Sequence, residues 1–134
     1  DNLSCFISLR FSDKSKELLR KLKRFLTLLN IKVVTGLDYQ PRKINEKVSD
    51  KLNQDIDFVI YLITSEGESY WTRDEVAISY EKEYLTIPLV EKGANFESGI
   101  FGNLEYIEYE DGYIEETFIK LLQGINYIKR SKND

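Results

Sequence analysis

The chain lacks histidine and methionine altogether and contains one cysteine in 134 residues. Without histidine there is no imidazole to act as a general base or metal ligand, and every serine or cysteine triad that depends on imidazole is excluded. The single cysteine, Cys5, excludes an internal disulfide and a zinc site built from several cysteines. No EF-hand loop or glycine-rich phosphate loop occurs either. We therefore predict no metal site and no bound cofactor, and we expect any chemistry to use carboxylates, hydroxyls, lysine or arginine.

Long apolar runs are missing as well. No segment approaches the roughly 18 apolar residues that a membrane-spanning helix needs, and the N-terminus has no signal-like apolar core. Together with the single cysteine, this predicts a cytoplasmic domain without membrane contact. The length is that of a single domain, 1–134, and because the sequence has no methionine at position 1 we expect it to be part of a longer polypeptide.

Charge is unevenly distributed along the chain. The net charge of −4 argues against a general nucleic-acid-binding domain, which would be basic. Between residues 13 and 32, however, the positive side chains are Lys14, Lys16, Arg20, Lys21, Lys23, Arg24 and Lys32, against only Asp13 and Glu17. Between residues 97 and 116 there are only negative ones: Glu97, Glu105, Glu108, Glu110, Asp111, Glu115 and Glu116. Two interpretations remain open, namely two solvated surfaces or head-to-tail pairing of these surfaces between copies of the chain.

Short apolar runs alternate with longer amphipathic segments, which is typical of a parallel sheet with connecting helices. Strands are predicted at 3–9, 31–34, 58–63, 86–90 and 104–109, and the run 58–63 is the most apolar of them. Helices are predicted at 13–29, 44–52, 71–84 and 114–128, with Asn30 as a stop signal after the first and Gly124 weakening the last. Pro88 suggests that the fourth strand lies at an edge or that Pro88 is near a strand end.

Right-handed crossovers favour an α/β, flavodoxin-like, doubly wound five-stranded sheet of order 2-1-3-4-5, with helices on both faces. In such sheets ligands bind at the carboxyl ends of the strands, here near the first and third. The segments 8–12, 36–43 and 64–71 should meet there, with Glu75 on the rim. Trp71 and Glu75 are one helical turn apart, so their side chains should project from the same side of a helix.

These segments resemble the sequence boxes of Toll/interleukin-1 receptor (TIR) domains, in order and over essentially the whole chain. Phe6-Ile-Ser-Leu-Arg-Phe-Ser-Asp13 resembles the opening box, and residues 38–44 with Pro41 lie where TIR domains have their BB loop. Residues 58–64 resemble the third strand and 87–89 the fourth, and Ser69-Tyr-Trp71-Thr-Arg-Asp-Glu75 resembles the Ser-x-Trp-x-x-x-Glu box. Two residues depart from the pattern: Arg42 replaces a frequent glycine, and Thr72 replaces a frequent cysteine.

The resemblance implies a microbial, NAD-consuming TIR domain in which Glu75 is catalytic. Such domains cleave the bond between nicotinamide and ribose, and they form ADP-ribose or a cyclic product. The reaction is physically reasonable without histidine, because nicotinamide leaves as a neutral molecule and a carboxylate can stabilise the oxocarbenium-like ribose. NAD would then be a substrate rather than a cofactor.

The resemblance also implies roles for other residues and for partners. Trp71 and Phe11 would stack on aromatic rings, Arg10 would pair with the pyrophosphate or a ribose hydroxyl, and Ser8 and Thr64 would donate hydrogen bonds at the strand ends. Ser69 completes the predicted substrate site. By family association we expect a homo-oligomer formed through TIR–TIR contacts, a fused or separate sensor, and a role in antiviral defence or cell suicide.

Other interpretations stay open. The chain could be a non-enzymatic TIR adapter that acts by homotypic contact, although adapters often lack the glutamate. It could also have a related doubly wound fold, such as that of nucleoside deoxyribosyltransferases or receiver domains. Individually, Trp71 could serve packing, Glu75 could complement a helix dipole, and Arg10 could form a surface ion pair.

Overall fold

The computed structural model describes residues 3–9, 13–35, 56–65, 85–94 and 106–133. They contain five strands that form one parallel sheet in the order β2-β1-β3-β4-β5. The strands are β1 (Ser4–Leu9), β2 (Lys32–Thr35), β3 (Phe58–Ile63), β4 (Leu85–Glu91) and β5 (Ile107–Tyr109). The predicted strand order and the flavodoxin-like fold class are therefore confirmed.

Two helices are described, α1 (Asp13–Leu28) and α2 (Ile114–Asn133), and α2 follows a short 3₁₀ turn at Asp111–Tyr113. The helix α1 ends as its sequence predicts. Asn30 adopts the left-handed conformation with φ of 61°. The N–H of Asn30 bonds the Thr27 carbonyl and the N–H of Ile31 bonds the Leu26 carbonyl, both at 3.0 Å. This is the Schellman arrangement, which satisfies carbonyl groups that the helix leaves without partners.

Both described helices pack on the same face of the sheet. Phe25 of α1 and Phe118 of α2 stack with ring centroids 4.5 Å apart and planes 9° from parallel. Beneath them lies one apolar cluster, which consists of alternate strand residues and the buried sides of both helices. Its members include Cys5, Ile7, Leu9, Phe58, Ile60, Leu62, Leu89, Leu22, Leu26, Leu121 and Ile125.

The opposite face of the sheet is buried too. Phe6, Val59, Tyr61 and Ile63 project between the members of the first cluster along β1 and β3, and each is at most 1% exposed. A central strand that is buried on both faces explains why β3 is apolar throughout instead of alternating. The helices predicted at 44–52 and 71–84 lie outside the described residues.

Some predicted details differ from the structure. The strand β2 begins one residue later than predicted, and β4 extends to Glu91. The strand β5 is Ile107–Tyr109 and is preceded by the exposed Tyr106, while residues 104 and 105 of the predicted strand lie outside the described residues. Pro88 lies within an interior strand, but the described pairing of β4 with β5 starts only at Leu89. At Pro88, β4 is paired with β3 but not yet with β5. The missing N–H of proline is therefore tolerated at this position.

The helix α2 continues past Gly124 to Asn133, beyond the predicted end at residue 128, and the predicted weakening by Gly124 stays a prediction. A Cβ atom at Gly124 would lie 3.5 Å from Cδ1 of Ile87. The glycine therefore lies where the helix approaches β4 closely, and packing against the sheet offsets its poor helix propensity.

Candidate functional site

The carboxyl ends of the strands form the edge of the sheet where a doubly wound fold binds ligands. The strands β1 and β3 are neighbours in the sheet. From β1 the chain continues to β2 on one side, and from β3 it continues to β4 on the other, so the topological switch point lies between β1 and β3. Of the predicted substrate residues, Ser8 and Thr64 lie at this edge within the described part of the chain. Arg10, Phe11, Ser69, Trp71 and Glu75 lie outside the described residues, so their meeting in one crevice stays a prediction.

Ser8 is the penultimate residue of β1 and is 2% exposed. Its Cα pairs with that of Tyr61 in β3, which puts it on the sheet face opposite to α1. Within the described structure its Oγ is buried and makes no hydrogen bond. Because buried hydroxyls are nearly always bonded in folded proteins, this group is suited to bond a ligand or a water molecule. Its predicted role as a donor to substrate stays a prediction.

Thr64 directly follows β3 and is also buried. The next residue, Ser65, donates its backbone N–H to Oε1 of Glu91 at 2.7 Å. Glu91 is the last residue of β4 and is only 6% exposed. A side chain therefore connects the carboxyl ends of β3 and β4 beyond their last backbone pair, Ile63 with Val90.

Sequence reasoning missed Glu91 as part of this edge. The available signal was a carboxylate that directly continues the apolar run Ile87-Pro-Leu-Val90 without an intervening turn residue. Such a residue is expected to be buried, and a buried carboxylate needs a hydrogen-bond donor.

Tyr109 lies beside Glu91, since the two residues pair across β4 and β5. The ring is 2% exposed, and its hydroxyl makes no hydrogen bond within the described structure. Burial first, and then the negative charges of Glu91 and Asp111, raise the pKa of the Tyr109 phenol well above its usual value. The phenol is therefore protonated at physiological pH and can only donate or accept a hydrogen bond as a neutral group.

Two of the hollows in the described surface differ in volume and in their position relative to the carboxyl edge. A cavity of about 210 Å³ lies between α1 and the start of α2, lined in part by Lys21, Tyr109 and Asp111. It is smaller than the roughly 300 Å³ at which ligand pockets begin. A larger open groove of about 620 Å³ lies at the opposite, amino ends of β4 and β5, beneath α2. We place the candidate site at the carboxyl edge despite the size of this groove, because the strand order puts the ligand crevice there.

The charged segments of the sequence are exposed on the folded domain. Lys16, Arg20, Lys21, Lys23 and Arg24 are exposed along α1, and Glu108, Glu110, Asp111, Glu115 and Glu116 are exposed at β5 and the start of α2. Arg20 bonds Glu17 at 2.8 Å within α1, and Lys92 approaches Glu110 at 3.7 Å. Both surfaces are thus available to solvent, which each of the two interpretations of the charge pattern requires.

The described residues include no group of three or more acidic or cysteine side chains that could hold a metal ion. Neither α1 nor α2 has the length and apolarity needed to cross a membrane. Cys5 is fully buried, and burial raises the pKa of its thiol well above the usual value, so it is an unreactive core residue.

Comparison with known proteins finds the fold but no sequence family. No protein-family model matches the sequence, and no curated protein matches it. Among solved structures, a 2-deoxyribosyltransferase from Bacillus psychrosaccharolyticus matches with a TM-score of 0.61 and 16% identity, over 79% of this chain and 86% of that one. The CMP N-glycosidase BcmB from Clostridium botulinum matches with a TM-score of 0.64 and 20% identity, over 87% of this chain and 97% of that one.

At these identities the likeness concerns the fold. The chain shares the flavodoxin-like sheet of the nucleoside deoxyribosyltransferase type, which was one of the folds left open by the sequence. The two structures are not TIR domains, and the resemblance to TIR domains rests on the sequence boxes alone.

Proposed function

We propose that this domain cleaves the N-glycosidic bond of a nucleotide and that NAD is its substrate. The observation that carries the proposal is the strand order β2-β1-β3-β4-β5 with Ser8 and Thr64 at the carboxyl ends of the two strands flanking the switch point. In that place, buried hydroxyls can bond the ribose of a nucleotide.

The two structural neighbours support the type of bond. One is named for the transfer of 2-deoxyribosyl groups and the other for cleavage of the N-glycosidic bond of CMP. Both reactions break the bond between C1′ of a sugar and a ring nitrogen. The nicotinamide–ribose bond of NAD is a bond of the same kind, so one chemistry is compatible with both the fold and the TIR-like boxes.

Glu75 is the residue to which we assign the chemical step. As the C1′–N bond of NAD lengthens, positive charge moves from the pyridinium ring onto the ribose, and a nearby carboxylate stabilises it. Nicotinamide leaves as a neutral molecule with the bonding electron pair. Attack by water then gives ADP-ribose and a proton, while attack by a group of the same substrate gives a cyclic product.

The remaining predicted residues bind substrate in this proposal. Ser8 and Thr64 bond ribose hydroxyls, and Arg10 neutralises the pyrophosphate. Trp71 and Phe11 stack on the rings, and Ser69 lies in the same segment as Trp71. These five contacts orient the C1′–N bond towards Glu75 and supply binding energy rather than chemistry.

A nucleoside or nucleoside monophosphate is the second candidate substrate, and the names of the two neighbours favour it. The chemistry distinguishes it from NAD. A pyrimidine base leaves as an anion unless an acid protonates it, whereas nicotinamide needs no proton. In a chain without histidine that acid would be a carboxyl group, whereas NAD needs no proton donor, so NAD requires fewer catalytic groups at the site.

The test is to incubate the purified protein at high concentration with NAD, NADP, CMP and 2′-deoxycytidine in parallel. Chromatography and mass spectrometry identify the products. Release of nicotinamide supports the proposal, and the mass of the other product shows whether that product is linear or cyclic. Release of cytosine alone identifies the second candidate. No product from any of the four, at protein concentrations that drive assembly, favours the non-enzymatic adapter.

A further inference from the structure

Glu91 occupies a position where a carboxylate is unfavourable unless it has a specific role. It follows Leu89 and Val90, which are 1% and 3% exposed, and is itself 6% exposed. Removing a carboxylate from water is strongly unfavourable unless hydrogen bonds or charges compensate for the lost hydration. An apolar residue at the end of β4 would fold without that penalty.

The compensation includes the 2.7 Å hydrogen bond that Oε1 of Glu91 accepts from the backbone N–H of Ser65, 26 residues earlier in the chain. Ser65 is where the chain has just left β3, past the last backbone pair between β3 and β4. A charge-assisted bond of this kind is among the stronger hydrogen bonds in proteins. It fixes the backbone at Ser65, directly after Thr64 at the carboxyl end of β3.

The surroundings of Glu91 keep its side chain in place. Tyr109 pairs with Glu91 across β4 and β5 and is 2% exposed, so it closes one side of the carboxylate. The N–H of Lys92 bonds the Tyr109 carbonyl at 2.8 Å, and the N–H of Ala94 bonds the Glu91 carbonyl at 2.9 Å. The backbone on both sides of the Glu91 side chain is thus fixed by hydrogen bonds.

We propose that Glu91 is a positioning residue: by holding the Ser65 N–H it fixes the backbone at the carboxyl end of β3 and with it Thr64, which binds the ribose in the proposed function. This rests on the proposed function, and it assigns Glu91 no contact with substrate. A displacement of about 1 Å in a group that orients the substrate can lower a rate on the order of 10²-fold, so the bond that holds the backbone next to Thr64 can control turnover.

Three variants test the role, with NAD turnover as the readout. Glu91→Gln keeps an oxygen at the position of Oε1, and kcat should stay within about threefold of wild type. Glu91→Leu removes the acceptor, and kcat should fall on the order of 10²-fold with KM within about threefold. Glu91→Asp keeps the charge but withdraws the oxygen by one methylene, and it should lose kcat as Glu91→Leu does.

A matched control separates this effect from general destabilisation. Ile125→Val removes one methyl group from the core beneath α2, remote from the carboxyl edge, and should lower the Tm without changing kcat. If Glu91→Leu and Glu91→Asp both retain wild-type kcat, or if Glu91→Gln loses as much as Glu91→Leu, the positioning role is wrong.

Amide hydrogen exchange gives a readout that does not depend on activity. Exchange of the Ser65 N–H should accelerate by about tenfold or more in Glu91→Leu and Glu91→Asp but not in Glu91→Gln or Ile125→Val. If the wild-type protein cleaves no nucleotide, the proposed function fails, while the exchange data still show whether Glu91 holds Ser65. Unchanged exchange at Ser65 in Glu91→Leu would overturn the inference itself.

Discussion

Single residues at the carboxyl edge show how far residue type constrains the site. The absence of histidine excludes imidazole-based catalysis, and the buried Ser8 hydroxyl has no hydrogen-bond partner among the described residues near the switch point. Glu91 adds a buried carboxylate that accepts a hydrogen bond from the Ser65 backbone. The two carboxylates therefore have different expected roles: Glu75 stabilises the ribose in the chemical step, and Glu91 holds the backbone at the end of β3.

Replacing Glu75 with glutamine should abolish most turnover without unfolding the domain. The amide keeps the size of the side chain but cannot stabilise positive charge on the ribose. We expect kcat to fall on the order of 10²-fold or more, which corresponds to about 3 kcal/mol of transition-state stabilisation. NAD turnover and Tm should be measured on the same sample, with Asp74→Asn as the control for loss of a neighbouring carboxylate. Turnover that survives in Glu75→Gln would remove Glu75 from the mechanism.

Replacing Ser8 with alanine should separate binding from stability. Its hydroxyl makes no hydrogen bond within the described structure, so its removal relieves an unsatisfied buried group and should change the free energy of unfolding by less than about 1 kcal/mol. If the hydroxyl bonds the ribose, kcat/KM for NAD should fall about tenfold, since a lost hydrogen bond contributes about 1 to 1.5 kcal/mol. Urea unfolding and steady-state kinetics measure the two effects. A large loss of stability with unchanged kcat/KM would contradict this role.

Secondary-structure elements were predictable where local chemistry alone decides their ends. The strand β3 has the predicted bounds because its six residues are apolar on both faces, and α1 stops where Asn30 can adopt a left-handed conformation. The errors come from tertiary contacts that a local pattern does not contain. Pro88 is tolerated inside β4 because pairing with β5 starts only at Leu89, and Glu91 is buried with a hydrogen-bond donor 26 residues away.

The helix stop at Asn30 yields a test at the element scale. Because its φ of 61° is unfavourable for a β-branched side chain, Asn30→Val should destabilise the domain by about 1 to 2 kcal/mol. Asn30→Gly accepts the same backbone conformation and should change the free energy of unfolding by less than about 0.5 kcal/mol. Urea midpoints of the two variants give the comparison. Equal stability of the two would show that the left-handed turn does not persist in solution.

Gly124 gives a second test at this scale. A Cβ atom would meet Cδ1 of Ile87 at 3.5 Å, which is an ordinary van der Waals distance. Gly124→Ala should therefore fit and stabilise α2 by about 0.5 to 1 kcal/mol through helix propensity. Gly124→Leu would force the helix away from β4 and should destabilise by about 1 to 3 kcal/mol. Thermal unfolding distinguishes these outcomes, and a destabilising alanine would mean that the helix lies closer to the sheet in solution.

At the scale of the whole molecule, the sequence determines the topology better than it determines the site. Strand order follows from alternating apolar segments and the handedness of crossovers, both of which are properties of the chain pattern. The site depends on which side chains from distant segments come together. The sequence pattern predicts only that these segments lie at the carboxyl edge of the sheet, not which of their side chains meet. Ser8 and Thr64 lie at that edge because they are the penultimate residue of β1 and the residue after β3, whereas the bond from Ser65 to Glu91 depends on three-dimensional register.

The charge distribution supplies the last prediction, because the exposed cations of α1 and the exposed carboxylates from Glu108 to Glu116 can pair between copies. We expect weak self-association through these two surfaces. Association should weaken as salt rises from 50 to 500 mM, since the Debye length falls from about 14 Å to about 4 Å. Sedimentation velocity measures this association.

The double variant Lys23→Glu/Arg24→Glu should be monomeric at low salt, while Lys129→Glu/Arg130→Glu, on α2 outside the basic surface, should associate as wild type does. A wild-type monomer at every salt concentration would instead mean that both charged surfaces are simply solvated, and NAD turnover per protomer would then be independent of protein concentration.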